Sequence, residues 1–398
     1  MAQKEDKSKN FYAPNLNPLL ARFVQSITPL GTYLFYQFNL KVSEDDIATV
    51  KALRNERWVL LCNHSSFQDG IAMYALSGRL GELFHYMVAQ EAFEGFFGGI
   101  MPRLGCYSIR RGLADRTSIA TTLDLLTQPR SRLVIFPEGG CSFQNDTVMP
   151  FRTGAIQIPL QAMNRLAKQN QTVPNFYVIP VSLKYRYPQP MEAEIEQSLS
   201  GLEKTLNLSP DTSEFYPRLR AIANRVLSNI EAEYNLHPPE NSASDWNDRI
   251  NTLKQKVVNR CENEVNLPQS DNLPIRERVY KIQATLDDLP PNWKSPQNWT
   301  QDTLYNATNR LLNFDAIYDG YVASAPTQER FLDTLTRLER EVFDINQPPP
   351  KGYRHAVCRL GNPVNLKDYF DDYKQDKAKT VTSLAQQFQA TIQGFLKE

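Results

Sequence analysis

The hydropathy pattern predicts a mixed α/β fold: a largely buried sheet flanked by helices, with a large α-helical insertion before the last strand. From Trp58 to Tyr185, short apolar runs alternate with helix-like stretches, the rhythm of a sheet buried on both faces. After Tyr187-Pro188-Gln189-Pro190 the chain changes to charged, helix-period segments that continue to about Phe343. Strand signal then returns at Tyr353 as YRHAVCRLGNPVNLKDYF, just past the proline-rich Gln347-Pro-Pro-Pro350, so the helical stretch reads as inserted rather than appended.

Taken in order, four segments follow: residues 1–40, an N-terminal membrane-associating helical segment; 41–190, the α/β core; 191–350, the helical insertion; and 351–398, the last core strand and a C-terminal helix. Residues 23–40, FVQSITPLGTYLFYQFNL, carry no charge but include Pro29, Gly31 and several amides and hydroxyls, too polar for a confident membrane span. A buried helix broken near Pro29 and a helix lying in a bilayer interface are both consistent with it; Phe23, Tyr33, Phe35, Tyr36 and Phe38 favour the interface. Strands are expected at 58–63, 85–89, 106–110, 132–137 and 176–184, with helices at 69–80, 114–127 and 153–168 as crossovers. Inside the insertion, 218–236 and 249–267 align without a gap, sharing an opening Arg, a Val, two Glu and a closing Asn-Leu. They read as a repeated helical unit, echoed at 278–289, or as two amphipathic helices of like composition.

Composition removes several classes of function. Lys plus Arg equals Asp plus Glu at 44 each, which argues against a nucleic-acid partner. Five cysteines, at 62, 106, 141, 261 and 358, form no C-x-x-C pair, so neither a disulfide framework nor a zinc ribbon is indicated, and no metal or other cofactor is expected. The charged N-terminus MAQKEDKSKN lacks the apolar core of a secretory signal; the expected location is the cytoplasmic side of a membrane, peripheral or monotopic.

The chemistry concentrates where strands end. Asn63-His64 follows the run WVLLC, with Asp69 five residues past the histidine. A neutral imidazole is suited to take a proton near neutral pH, and a carboxylate folded back onto it fixes its tautomer. The plainer alternative has His64 bonding a turn carbonyl and Asp69 capping the next helix. Phe136-Pro137-Glu138-Gly139 also ends a strand, and in open α/β sheets ligands gather at the carboxyl ends of strands. Arg110 and Arg111 add guanidiniums suited to phosphate; residues 101–160 hold seven arginines against four acidic residues, consistent with a local anion site.

In order, Asn63-His64 with Asp69, Gly105 to Arg111, Phe136 to Gly139 and Val178-Ile-Pro-Val181 resemble the four motif blocks of the glycerolipid acyltransferase family. The resemblance covers roughly residues 40–190 plus a closing G-x-P segment near 354–368. It implies that His64 deprotonates an acceptor hydroxyl, which attacks the thioester of acyl-CoA or acyl carrier protein directly, and that Asp69 orients His64. It implies further that Arg111, Glu138 and Gly139 serve the acceptor, a lysophospholipid such as 1-acylglycerol 3-phosphate at a membrane surface; Arg110, a further acceptor candidate, stands where the family usually has an aspartate or another variable residue. Glycerol 3-phosphate, another lysophospholipid or a neutral alcohol are the alternative acceptors; a lipid-binding scaffold and a metal-dependent hydrolase are the alternatives outside the class. One departure matters: Gly140-Cys141-Ser142 stands where many members have Thr-Arg-Ser, so an expected phosphate-binding arginine is missing, and Arg152, in Phe151-Arg-Thr-Gly154, is the residue expected to supply part of the anion site. Nothing near Cys141 in sequence marks it as an activated thiolate, and its serine variant is expected to stay active. The Phe- and Gly-rich stretch 91–102 reads either as a second membrane-facing element, joined with 23–40 through Phe35, Phe96 and Phe97, or as a packed loop.

Overall fold

The computed structural model describes residues 11–95, 97–170, 172–236 and 246–398; Phe96 lies outside them. The described residues form two compact units: an α/β unit built from residues 11–110, Asp115–Pro188 and Gly352–Glu398, and a helical unit built from Gln189–Lys351 with Arg111–Ala114.

In the α/β unit the strands are β1 (Phe38–Lys41), β2 (Arg57–Cys62), β3 (His85–Ala89), β4 (Cys106–Ile109), β5 (Arg132–Ile135), β6 (Phe176–Arg186), β7 (Arg354–Leu360) and β8 (Val364–Asn365). They make one sheet in the order β1-β7-β6-β2-β5-β3-β4, with β8 also on β6. Strands β6, β2, β5, β3 and β4 run parallel, whereas β7 pairs antiparallel with β6. The predicted sheet is therefore present, with β7 and β8 arriving after the helical stretch. Side chains alternate between faces along each strand. Val59, Leu61, Leu133, Ile135, Phe176 and Val178 pack on one side with Leu160, Met163, Phe388 and Ile392. Trp58, Leu60, Cys62, Val134, Ile179 and Val181 pack on the other with Ile47, Met73 and Leu76. Both faces are covered, which is why the strands read as continuous apolar runs.

Helices of this unit are α1 (Pro18–Tyr36), α2 (Glu44–Lys51), α3 (Asp69–Leu80), α4 (Arg116–Thr127), α5 (Gly154–Asn170), α13 (Phe370–Gln375) and α14 (Lys377–Lys397). Helix α1 is not broken at Pro29: it continues through the proline to Tyr36 and ends on Gln37 in the left-handed region at φ 51°. Its packing is inverted. Ala21, Gln25, Thr28 and Thr32 are buried, with Gln25 Nε2 donating to Ser77 Oγ on α3 at 2.7 Å, while Leu19, Phe23, Leu30, Leu34 and Phe35 are exposed. Phe38 departs from the expected interfacial set because it is a core residue of β1, fully buried. Phe93 is likewise buried, stacked on Tyr12 with ring centroids 4.7 Å apart; among the described large apolar residues of the stretch 91–102, Phe97 and Ile100 are exposed.

The helical unit contains α6 (Glu192–Leu206), α7 (Phe215–Glu233), α8 (Trp246–Glu264), α9 (Ile275–Asp287), α10 (Gln301–Phe314), α11 (Tyr321–Ser324) and α12 (Gln328–Val342). The repeat suggested by sequence has a physical basis here. Arg218, Arg249 and Arg278, near the start of α7, α8 and α9, each pair with a glutamate near the end of the preceding helix: Glu203 at 2.8 Å, Glu231 at 2.6 Å and Glu262 at 2.5 Å. Each of those glutamates also sits one turn before an asparagine in the left-handed region, Asn207, Asn235 or Asn266, where the helix stops. The following leucine amide then bonds back to the glutamate carbonyl at 2.8–2.9 Å, closing the helix end. Helix α6 supplies the first such closure, a copy that the aligned segments leave out; α9 repeats the opening arginine but ends on Asp288 without the asparagine.

Arg278 is fully buried and also bonds to Gln255 Oε1 at 2.9 Å. Truncating it would strand the buried Glu262 carboxylate, and breaking a buried pair in this way costs about 3–5 kcal/mol. Arg278→Ala is therefore expected to lower the unfolding free energy of the helical unit, measured by urea titration, by that amount, whereas the double change Arg278→Met with Glu262→Leu should recover most of it.

Candidate active site

Strands β2 and β5 are parallel neighbours, so the segments leaving their carboxyl ends meet at one edge of the sheet. Asn63 and His64 leave β2 there; Phe136 to Cys141 leave β5. Asn63 extends the pairing of β2 with β6 through its side chain: Nδ2 donates to Leu183 O at 2.9 Å, and Oδ1 accepts from Leu183 N at 2.7 Å. Asn145 does the same to Tyr185, its Oδ1 accepting from the Tyr185 amide at 2.6 Å. Two side-chain amides thus stand in for strand partners where the backbone has turned away from the sheet.

His64 is held through both its ring and its backbone. Nδ1 donates to Asp69 Oδ2 at 2.9 Å. The backbone amide of His64 donates to Glu138 Oε1 at 2.6 Å, and its carbonyl accepts from Ser142 N at 2.7 Å. Phe136 stacks on the ring, centroids 4.4 Å apart and planes 25° off parallel. The five-residue spacing is closed by a turn in which Ser66 N donates to Asp69 Oδ2 at 2.8 Å. Asp69 is the first residue of α3 rather than its cap; Gln68 occupies the cap position without a side-chain bond. Tyr185 Oη completes the carboxylate by donating to Asp69 Oδ1 at 2.9 Å, and Asp69 is fully buried.

Cys141 Sγ lies 3.4 Å from Nε2 and 3.6 Å from Nδ1 of His64. Near-equal distances to both ring nitrogens can be met only from above the ring, because the in-plane position between them is taken by Cε1. The sulfur therefore covers a face of the imidazole and is off the Nε2 lone-pair direction, where a proton donor has to sit. With Nδ1–H on Asp69, that lone pair is directed away from the sulfur and remains oriented for a hydroxyl. Burial alone would lower the His64 pKa, but Cys141 and the hydrogen-bonded Asp69 carboxylate outweigh it and raise the pKa well above the ordinary 6.5.

The remaining sequence-predicted residues divide. Gly139 and Arg152 are together: Gly139 has φ +72°, and a Cβ there would come within 2.5 Å of Arg152 Nε, so the guanidinium rests directly on the glycine. Glu138, expected to serve the acceptor, lies next to the His64 turn. Its two oxygens accept from the backbone amides of His64, at 2.6 Å, and Met149, at 2.9 Å, and it is buried, so it braces the His64 turn against the segment after β5. Arg110 follows β4, its amide donating to Asp115 Oδ2 at 2.9 Å. Arg111 belongs to the helical unit, where Nη1 donates to Tyr280 Oη at 3.0 Å and the guanidinium lies over the Tyr280 ring at 4.4 Å.

Sequence reasoning missed Tyr185, Asn145 and the part played by α14. Gln389 Oε1 accepts from Phe151 N and Gln393 Oε1 from Val148 N, both at 3.0 Å, pinning the segment that carries Arg152. Nothing in the pattern of a C-terminal amphipathic helix singles out those glutamines. Tyr185 carried a signal, a phenol at the end of a strand buried on both faces, where a hydroxyl needs a partner. Among the described residues no group of histidine, cysteine and carboxylate side chains is arranged to hold a metal ion.

An NMR titration of the His64 imidazole in the full chain should give a pKa above 6.5. In Asp69→Asn it should fall, because burial continues to oppose the charged ring once the carboxylate is gone; an unchanged value would mean that Asp69 does not govern the ring.

Residues 40–184, which contain His64, Asp69, Glu138, Gly139, Cys141 and Arg152, match the family model described as Acyltransferase. A comparison of the chain with curated proteins finds no match. With the sheet and that match in agreement, the α/β unit carries an acyltransferase-family domain over residues 40–184.

Proposed function

We propose that the protein moves a fatty acyl group from a thioester, acyl-CoA or acyl carrier protein, to the free hydroxyl of 1-acylglycerol 3-phosphate, giving phosphatidate. The observation that carries this reading is the His64–Asp69 pair, Nδ1 to Oδ2 at 2.9 Å, with the Nε2 lone pair left for a substrate hydroxyl. His64 takes the hydroxyl proton as the oxygen attacks the thioester carbonyl. The C–O bond forms, the C–S bond breaks, and the imidazolium returns the proton to the departing thiolate. General base catalysis of this kind contributes about 10²–10⁴-fold. Asp69 holds the ring in the tautomer the step needs and stabilises the imidazolium between the two proton transfers. Arg152, resting on Gly139 beside the motif turn, is the cation we assign to the acceptor phosphate, with Arg110 as a further candidate. The Gly140-Cys141 sequence favours a second reading, a neutral alcohol acceptor, since the arginine many relatives use for phosphate is replaced there.

A bilayer at α1 supports the same reading, because both substrates are amphiphiles. Leu19 is 85% and Phe35 75% exposed on a helix whose buried face is made of small and polar side chains, the reverse of a helix packed against a core. Asn15 and Asn17 amides bond to Pro102 and Arg103 carbonyls at 2.9–3.0 Å, which sets the turn carrying Phe97 and Ile100 next to the start of α1. No helix among the described residues is long and apolar enough to cross a membrane, and we assign α1 to a bilayer interface on the cytoplasmic side.

Acyl transfer from acyl-CoA and acyl carrier protein should be measured against glycerol 3-phosphate, 1-acylglycerol 3-phosphate, lysophosphatidylcholine and monoacylglycerol. Turnover is expected with 1-acylglycerol 3-phosphate, abolished in His64→Ala and retained within about threefold in Cys141→Ser, since the sulfur is off the lone-pair axis. A preference for monoacylglycerol would replace phosphatidate synthesis by the second reading. Phe35→Asp with Phe97→Asp should weaken liposome binding by about tenfold or more without changing the melting temperature, because exposed apolar area is what partitions; unchanged binding would remove α1 from the membrane.

A further inference from the structure

The Asp69 carboxylate has a second oxygen, which faces away from His64 and is met by a different element of the sheet. Oδ2 serves His64 Nδ1 and Ser66 N, while Oδ1 is met by the phenol of Tyr185 at 2.9 Å. Tyr185 is itself buried and fixed from three directions. Asn145 brackets its backbone, Phe38 packs edge-on at 5.8 Å between centroids, and the Arg354 guanidinium lies 4.7 Å over its ring. Those contacts come from the segment after β5, from β1 and from β7, so the phenol is held by the sheet and not by the His64 turn.

We infer that Tyr185 is a positioning residue that sets the basicity of His64 through Asp69, making His64–Asp69–Tyr185 one hydrogen-bonded relay. A carboxylate shared between two strong donors gives less of its charge to each. The Tyr185 bond therefore draws charge off the oxygen pair and restrains the stabilisation Asp69 offers the imidazolium, which keeps His64 able to exist as the neutral base. Burial and the neighbouring Asp69 push the phenol pKa well above its ordinary value, so the hydroxyl stays protonated and remains a donor throughout the working range. The titratable and charged groups around the relay are Cys62 on β2, Glu138 and Cys141 after β5, and Arg354 on β7. Of these, Arg354 faces the phenol and strengthens it as a donor.

This inference rests on the proposed role of His64 as the base, and its test has a readout that does not need turnover. In Tyr185→Phe the carboxylate has lost its second donor, and the His64 imidazole followed by NMR in the full chain should titrate about 0.5–1 pH unit higher than in the parent. The acid limb of acyl transfer against pH should move up by the same amount. Difluorotyrosine placed at position 185 keeps the ring and donates more strongly, and should move both in the opposite direction. A His64 titration that stays put in both variants, or moves downward in Tyr185→Phe, would overturn the relay. Opposite shifts in the NMR titration with no effect of His64→Ala on acyl transfer would instead keep the relay and reject His64 as the base. Should Tyr185→Phe fail to fold, the difluorotyrosine chain alone carries the test, with a downward shift expected and no shift contradicting it.

Discussion

The buried charge of Asp69 is the constraint around which the α/β unit is organised. An ionised carboxylate removed from water is stable only when its oxygens are met by donors, and each missing donor costs kcal/mol. Here the donors come from three places: the imidazole at the end of β2, the Ser66 amide in the intervening turn, and the Tyr185 phenol on β6. Because β2 and β6 are parallel neighbours paired from Arg57 to Cys62, the sheet itself sets the distance between imidazole and phenol, and Asp69 is placed between them at the start of α3. The chemistry at His64 thus inherits its precision from strand register.

Once the chain leaves the sheet, side chains take over the work of the ladder. Asn63 and Asn145 pair with β6 as backbone would, Glu138 ties the His64 amide to the Met149 amide, and two glutamines of α14 hold the amides of Val148 and Phe151. Loops carrying reactive groups are ordinarily the mobile part of a fold. Here each is fastened to an element of the sheet or to a helix packed on it, which suits the role proposed for His64, a base that meets a hydroxyl and a thioester in one geometry.

Much of this was legible in the amino-acid sequence, for identifiable reasons. Strands buried on both faces leave unbroken apolar runs, so β2, β3, β4, β5 and β6 could be marked within a residue or two at most of their ends, and Pro-rich punctuation marked where the sheet resumes. His64 and Asp69 stood out because a histidine at a strand end is chemically conspicuous. Short β1 and two-residue β8 were not legible, since neither is long enough to show a period. Pro29 misled, because a proline can be kept inside a helix that is otherwise well packed. Glu138 shows how far sequence proximity reaches: it placed the carboxylate near the site but could not reveal that its oxygens meet the His64 and Met149 amides. In the helical unit the shared Arg, Glu and Asn-Leu of the two aligned segments were visible, but their meaning, an arginine reaching back to the previous helix end, required the packing.

Direct attack of the hydroxyl on the thioester is the central chemical claim, and the placement of Cys141 over the ring of His64 makes the competing covalent route specific enough to exclude. Initial rates with donor and acceptor varied together discriminate the two. Direct transfer predicts intersecting double-reciprocal lines, with no acyl group found on the protein when acceptor is withheld. Parallel lines, with acyl group bound to Cys141 under the same conditions, would contradict it and make the cysteine the nucleophile.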